Sequence, residues 1–252
     1  MERLPDHALA PASPAEQALR RDLAAAYRLA AHRGWDDLVY THLTARVPDE
    51  PGHFLINRFG LHFSEVTASN LVKIDAAGRV VGARQPVNPG GFALHAAVHA
   101  ARPDAHCVIH LHATAAVAVS VQAQGLLPLS QHALRFYRRI GYHDYGGLDF
   151  PPAEAARMVA ALADHPALLL RNHGSLVCGR TVAQAWVLME TLEKACDIQL
   201  RARASGVPLL LPPTRVLQRT AAQLTADEAA EGELEWPALL RLAARIAPDY
   251  AD

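Results

Sequence analysis

The most constraining stretch of the chain is VIHLHA, residues 108–113, in which His110 and His112 stand two residues apart inside an apolar run bounded by Asp104 and Thr114. As a strand, such a run sends alternate side chains to opposite faces, so both imidazoles leave the same face from Cα atoms about 6.6 Å apart. One metal ion bonded to each ring at about 2.0 to 2.1 Å can bridge them, whereas two unpaired imidazoles in an apolar strand would be left without partners. Two core histidines hydrogen-bonded to neighbours fit the pair alone equally well. A third histidine separates the readings. ALLLRNHGSLVCG, residues 167–179, reads as a β-hairpin with His173 in its tight turn. A polar N-H-G at the end of an apolar strand is better explained by a site than by packing, and Gly174 lets the backbone approach closely.

Of the 252 residues, 51% are apolar, enough to bury a sizeable core, and the segments read as one globular domain. The formal net charge is −1 and the basic residues are scattered, which excludes the electrostatic footprint of a nucleic-acid binder. No stretch approaches the length of a membrane span, and MERLPDHALAPASP at the N-terminus lacks an apolar core of signal-peptide length. The expected location is the cytoplasm, with no membrane partner. Cys107, Cys178 and Cys196 sit in apolar segments without a C-x-x-C pair, as reduced core residues do.

Along the chain, residues 1–12 read as a mobile tail and order begins at Ser13. Ser13, Pro14 and Glu16 fit a capping box, and Leu19, Leu23, Tyr27 and Ala30 keep helical spacing up to Gly34. THLTARV (41–47) and HFLIN (53–57) read as strands, residues 66–72 as a short helical turn, and VKID with AAGRVVG as a hairpin turning at Ala77 and Gly78. PVNPGG, residues 86–91, reads as a permissive loop feeding the helix FALHAAVHAAR, a junction of the kind whose free backbone N–H groups can bind anions. His95 and His99 share a face of that helix, a spacing open either to metal or to hydrogen bonding at a packed interface. Residues 126–147 read as an irregular, loop-rich segment that either recognises substrate or lies at a surface or subunit border. Two helices flank the 167–179 hairpin, the second opening on Thr181 and Gln184 and spanning about 34 Å to Gly206. The main domain thus covers residues 13–206, and residues 207–252 form a helical extension, with one or two helices in 220–247 and one beginning near Pro237.

In their order, THLTAR, INRFG, VTASNLVKID, PVNPGGFALHAAVHAARPDA, VIHLHA, YHDYGG and LRNHG resemble the landmarks of the class II aldolase/adducin family, across residues 18–204. The resemblance implies a three-layer α/β/α sandwich with a central, largely antiparallel β-sheet, assembled as a homotetramer with active sites at subunit borders. It implies His110, His112 and His173 as ligands of one divalent metal ion per subunit, zinc first, with manganese or iron as alternatives. Substrate contacts are expected at Asn57 and Gly60 of INRFG and at Asn88, Gly90 and Gly91 of PVNPGG. In the family's sugar-phosphate aldolases and epimerases a catalytic glutamate stands four residues before the histidine of the helix preceding the H-x-H strand. Counting back from His95, that position is Gly91, which can neither take a proton nor bind metal. The serine pair that helps hold the phosphate is replaced by Pro89 and Gly90, and the G-N-x-S-like loop reads Thr41, His42, Leu43 and Thr44. The substrate implied is a small molecule without a phosphate. The N-P-G-G-F-x-L-H-x-A form and YHDYGG resemble the branch with adducin head domains, which are cytoskeletal, yet this chain keeps the whole histidine triad.

Three neutral imidazoles leave open positions on a divalent ion, the arrangement of a catalytic rather than a closed structural site. The economical chemistry is Lewis-acid polarisation of a carbonyl or carboxylate, stabilising an enolate as a C–C bond breaks or a proton moves. That describes a metal-dependent lyase acting by aldol-type cleavage or decarboxylation, and decarboxylation needs no base to begin. Protonating the product needs a donor. His132 is the first candidate, near the spacing at which the family's aldolases carry a tyrosine donor from a neighbouring subunit, followed by His143 and Tyr145. Two alternatives use the same histidines: a non-haem iron oxygenase, and a non-catalytic, metal-bearing interaction domain of the adducin kind.

Overall fold

Ser13 opens the first helix, its hydroxyl accepting from the Glu16 backbone N–H at 3.1 Å. The Glu16 carboxylate does not complete a capping box; it is buried and paired instead with Arg20 at 2.8 Å and Lys73 at 2.7 Å. Gly34 ends the helix in the left-handed region, at φ 69°, where a residue without Cβ carries no steric penalty. The computed structural model describes residues 11–82 and 85–252, so all but the last two positions of the expected 1–12 tail lie outside the described residues.

In chain order the elements are α1 (Pro14–Arg33), β1 (His42–Arg46), β2 (His53–Ile56), β3 (Val72–Asp75), α2 (Pro89–Ala101), β4 (Cys107–Leu111), α3 (Thr114–Ser120), α4 (Gln131–Leu134), β5 (Ile140–His143), α5 (Pro152–Leu162), β6 (Ala167–Leu170), β7 (Gly174–Gly179), α6 (Val182–Ala204), α7 (Thr214–Leu224) and α8 (Glu235–Ile246). The strands form one seven-stranded sheet in the order β3-β2-β1-β4-β7-β6-β5. Every pairing is antiparallel except β5 with β6, which are parallel because α5 crosses between them. Alternation along the central strands divides the core. Leu43, Ala45, Ile109 and Leu111 pack in one cluster with α1, α3, α6 and α8, while Val108, Leu168, Leu170 and Leu176 pack in another with α2 and α5. The result is the α/β/α sandwich with a largely antiparallel sheet. Among the described residues, no helix is long and apolar enough to cross a membrane.

Four local expectations change. The helical turn expected at 66–72 lies earlier, as a single 3-10 turn at Phe63–Glu65, because His62 and Glu65 close a capping box there; β3 has begun by Val72. PVNPGG is only partly a loop: Asn88 caps α2 by accepting from Gly91 N–H at 3.2 Å, placing Gly90 and Gly91 in the first helical turn. The irregular segment 126–147 contains α4 and the edge strand β5, whose Gly141 lies so close to the Ala161 carbonyl that a Cβ would overlap it. At the C-terminus α7 begins at Thr214 and α8 at Glu235, both earlier than the sequence pattern suggests. The α8 residue Trp236 donates to Asp22 of α1 at 2.9 Å, and the backbone N–H groups of Ala68 and Ser69 donate to the Tyr250 and Asp252 carbonyls.

Candidate metal centre and its cavity

The carboxyl ends of β4, β5 and β6 lie beside one another across a cavity of about 390 Å³. His110 ends on this side of β4 and His112 follows one residue beyond the strand. His173 is carried in by the turn that joins β6 to β7. A Cβ on Gly174 would lie 3.1 Å from His112 Cδ2 and 3.3 Å from His110 Cε1, so a glycine is what lets this turn close onto the other two rings. The neighbouring Asn172 adopts φ 59°, and its backbone N–H donates to Ser120 Oγ at 3.1 Å.

Ring centroids are 5.1 Å apart for His110 and His112, 4.9 Å for His110 and His173, and 4.8 Å for His112 and His173. One ring nitrogen from each lies within 4.8 Å of the others, somewhat wider than the roughly 4 Å at most that two Zn–N bonds of about 2.0 to 2.1 Å span. The far side of two rings is fixed. His110 Nδ1–H donates to the Ser175 carbonyl at 3.0 Å, which places the proton on Nδ1 because a carbonyl only accepts. His112 Nδ1 meets Asp37 Oδ2 at 2.8 Å. Both contacts leave Nε2 for the cavity, the arrangement that orients metal-bound histidines, and His112 Nε2 is buried with no hydrogen-bond partner. Burial also pushes the His173 pKa down to about 4 and that of His110 well below its ordinary value, keeping them neutral, the form that binds metal. The donor set therefore fits a divalent ion. Behind it, Glu193 of α6 accepts from the backbone N–H groups of Ala115 and Ala116 at 2.9 Å each, pinning the start of α3 immediately after His112.

Residues 21–200 match the family described as class II aldolase and adducin N-terminal domain. The chain belongs to this family. It is similar to an aldolase II superfamily protein from Pseudomonas syringae, 44% identical, with a TM-score of 0.92 over 96% of this chain and 98% of that one. An L-fuculose 1-phosphate aldolase from Glaciozyma antarctica is 29% identical, with a TM-score of 0.84 over 98% of this chain and 96% of that one. Rat α-adducin is 42% identical over 243 residues, covering 90% of this chain but only 33% of the adducin.

Other class II aldolase/adducin positions sort into those at the cavity and those away from it. Asn88, Gly90, Gly91, His143 and Tyr145 line it with the three histidines. Tyr145 stands at the mouth, half exposed, with its ring centroid 6.3 Å from that of His173. Asn57 is elsewhere, buried against the Tyr27 hydroxyl at 3.0 Å, and Gly60 is exposed at φ 95°. His132 lies on α4, outside the cavity of its own chain.

Two residues of the cavity wall were not singled out from sequence. The first is His42, cross-strand neighbour of His110, which is buried with neither ring nitrogen partnered. A Cβ built on Gly91 would fall inside the van der Waals surface of His42 Cε1 and lie 2.9 Å from both ring nitrogens. The bare position 91 and the imidazole at position 42 are thus one packing solution, with the ring filling the space a longer residue 91 would enter. Behind His42, its ring centroid 4.3 Å away, stands His95. Its Nδ1–H meets Thr44 Oγ1 at 2.7 Å, Thr44 meets His99 Nε2 at 2.8 Å, and His99 Nδ1–H donates to the Ala105 carbonyl at 3.0 Å. The carbonyl fixes the direction of the whole chain: Thr44 donates to His99 and accepts from His95. His95 and His99 are therefore parts of a packed hydrogen-bonded interface, with the His99 ring stacked on Phe54 at 4.5 Å. The second residue is Glu154, in the first turn of α5, whose Oε1 accepts from His143 Nε2–H at 2.6 Å.

Proposed function

We propose that this chain is a divalent-metal-dependent lyase acting on a small, non-phosphorylated carbonyl or carboxylate substrate. The observation that carries the reading is the convergence of His110, His112 and His173 on one cavity, two of them tethered on the far nitrogen and one of those with a buried, unpartnered Nε2. An ion held there supplies Lewis-acid polarisation of a carbonyl or carboxylate oxygen. Zinc is the first expectation for a three-imidazole donor set, with manganese or iron as alternatives. The residues of this chain do the rest. Leu94, Leu170 and Phe150 give the cavity an apolar lining that excludes water, Asn88 with Gly90 and Gly91 line it at the start of α2, and His143 and Tyr145 stand where they can give or take a proton.

The phosphate-free substrate follows from Pro89 and Gly90 at the serine pair and from His42 in the loop that otherwise begins Gly-Asn. The aldolase-type glutamate has no room to return at position 91 while His42 occupies its space. Decarboxylation suits this site better than aldol cleavage, since it begins without a base. We place the protein in the cytoplasm as a homotetramer; three free, buried cysteines accord with a reducing compartment. In that assembly His132, outside its own chain's cavity, is the residue to be delivered to a neighbouring subunit's site.

The similarity to α-adducin favours a second reading, a metal-bearing interaction domain without catalysis. Loading the metal-free protein with zinc or manganese and assaying small 2-hydroxy and 2-oxo acids for CO₂ or aldehyde release separates the two. The lyase reading predicts metal-dependent release that His110→Ala abolishes. Stoichiometric metal without turnover of any such acid would favour the interaction domain, and iron with substrate-dependent O₂ uptake would move the assignment to an oxygenase.

A further inference from the structure

We propose that Glu154 and His143 form a carboxylate–imidazole pair that moves the proton at the reacting carbon of the substrate, with His143 as the catalytic residue and Glu154 as the residue that positions it. The inference rests on the lyase reading and supplies the proton carrier that position 91 lacks.

The pair is built into the fold rather than resting on its surface. His143 is the last residue of β5, on the same side of the sheet edge as His173. The chain then passes through Gly146 and Gly147 and returns as α5, whose first turn lays Glu154 over the end of β5. Gly146 makes this possible: a Cβ there would lie 2.6 Å from Glu154 Oε1 and 2.8 Å from Oε2. Glu154 is only 5% exposed and its two oxygens are both engaged, Oε1 by His143 and Oε2 by Arg157, so the carboxylate is held in place with its charge matched. Because an ionised carboxylate only accepts, the His143 proton sits on Nε2, and Nδ1 becomes the lone-pair nitrogen of a ring that lines the cavity. The charged and titratable groups around His143 are Glu154 and Arg157 from α5, Asp144 beside it in sequence, and His173 from the turn before β7.

The step assigned to the pair balances without any further reactant. A C–H bond next to the substrate carbonyl breaks, and its proton goes to His143 Nδ1. The electron pair becomes the C=C bond of the enolate as the carbonyl oxygen takes the negative charge. The imidazolium formed is stabilised against Glu154, and it returns a proton to the carbon in the reverse direction or after C–C cleavage.

The test uses the full chain loaded with zinc, in D₂O, with dihydroxyacetone as the probe. Proton NMR follows deuteration next to the carbonyl, and long-range ¹⁵N–¹H spectra of ring-labelled protein read the His143 tautomer. The wild type is expected to deuterate the probe and to hold His143 as the Nε2–H form. His143→Gln should slow deuteration about a hundredfold or more. Glu154→Ala should slow it by roughly tenfold to a hundredfold and shift His143 toward the Nδ1–H form, while Glu154→Gln, which keeps an acceptor oxygen, restores the tautomer and only part of the rate. Zinc content should stay at one ion per chain in all three variants. Deuteration that survives His143→Gln, or a tautomer and rate unchanged in Glu154→Ala, overturns the pair while leaving the lyase reading standing. Absence of deuteration in the zinc-loaded wild type overturns the catalytic role of His143, whereas the lyase reading stands or falls on the separate assay for CO₂ and aldehyde release.

Discussion

The two faces of the central sheet are made from the same strands and solve opposite problems. On the side of α1, α3, α6 and α8, β1 and β4 present Leu43, Ala45, Ile109 and Leu111, all fully buried. On the side of α2 and α5 the alternate positions present His42, Thr44 and His110, joined by His95 and His99 from the helix. The first face hides apolar surface, and polar groups it buries, such as the Tyr27 hydroxyl and the Glu193 carboxylate, are hydrogen-bonded within the protein. The second keeps both nitrogens of His42 and the Nε2 atoms of His95 and His112 buried without partners. An orphaned buried polar group costs about 1 to 3 kcal/mol, so a wall of them is stabilising only with something bound. A strand's period of two lets one sheet carry stability on one face and chemistry on the other.

Acid should break the comparison most strongly. Unfolded imidazoles titrate near 6.5, whereas burial holds native His42 at about 4 and His99 at about 3. Between those values the unfolded chain binds more protons, so the stability these rings contribute is complete above pH 6.5 and is lost as the pH falls toward 4. For this pair the loss by pH 5 is on the order of 4 kcal/mol, read from urea unfolding of the metal-free protein at pH 7 and pH 5. A flat profile would mean that the histidine face is protonated when folded. Leu55→Ala probes the other face, where the side chain is fully buried. It should cost about 3 kcal/mol in the same unfolding experiment and leave metal stoichiometry unchanged. Loss of metal in that variant would show that the two faces are not independent.

Gly91→Glu sharpens the comparison at the point where packing and chemistry meet. It should cost about 2 kcal/mol, because the new side chain enters space filled by the His42 ring. Adding His42→Gly should recover most of that loss. Wild-type stability in the single variant would show that the ring does not fill the site.

The clustering of His110, His112 and His173 was legible from sequence because strand alternation and a tight N-H-G turn are local patterns. His110 and His112 had to share a face, and Gly174 had to permit the approach of His173. The edge strand β5 was hidden because it has only four residues, one of them Gly141, and its pairing with β6 depends on the crossover of α5. His42 and Gly91 look like two separate losses in the sequence, since a one-dimensional string shows residue types but not the volume they contest. The pairing of a bulky residue at 42 with a bare position at 91 was the available signal. In the sequence Glu154 is one residue of the helix that precedes the 167–179 hairpin, and nothing local shows that α5 folds its first turn back over His143. Asn57 drew attention through its motif, yet it serves the buried Tyr27 hydroxyl.

The central claim is that three histidines of this chain hold one divalent ion at the cavity. Calorimetric zinc titration of chelator-treated protein tests it most directly, comparing the wild type with His173→Ala, whose site lies in a turn rather than in the core. The account predicts one zinc per wild-type chain and an affinity at least about a hundredfold weaker in the variant, with little change in the urea midpoint of the metal-free proteins. Equal affinity in the two proteins, or no zinc bound by either, would contradict it.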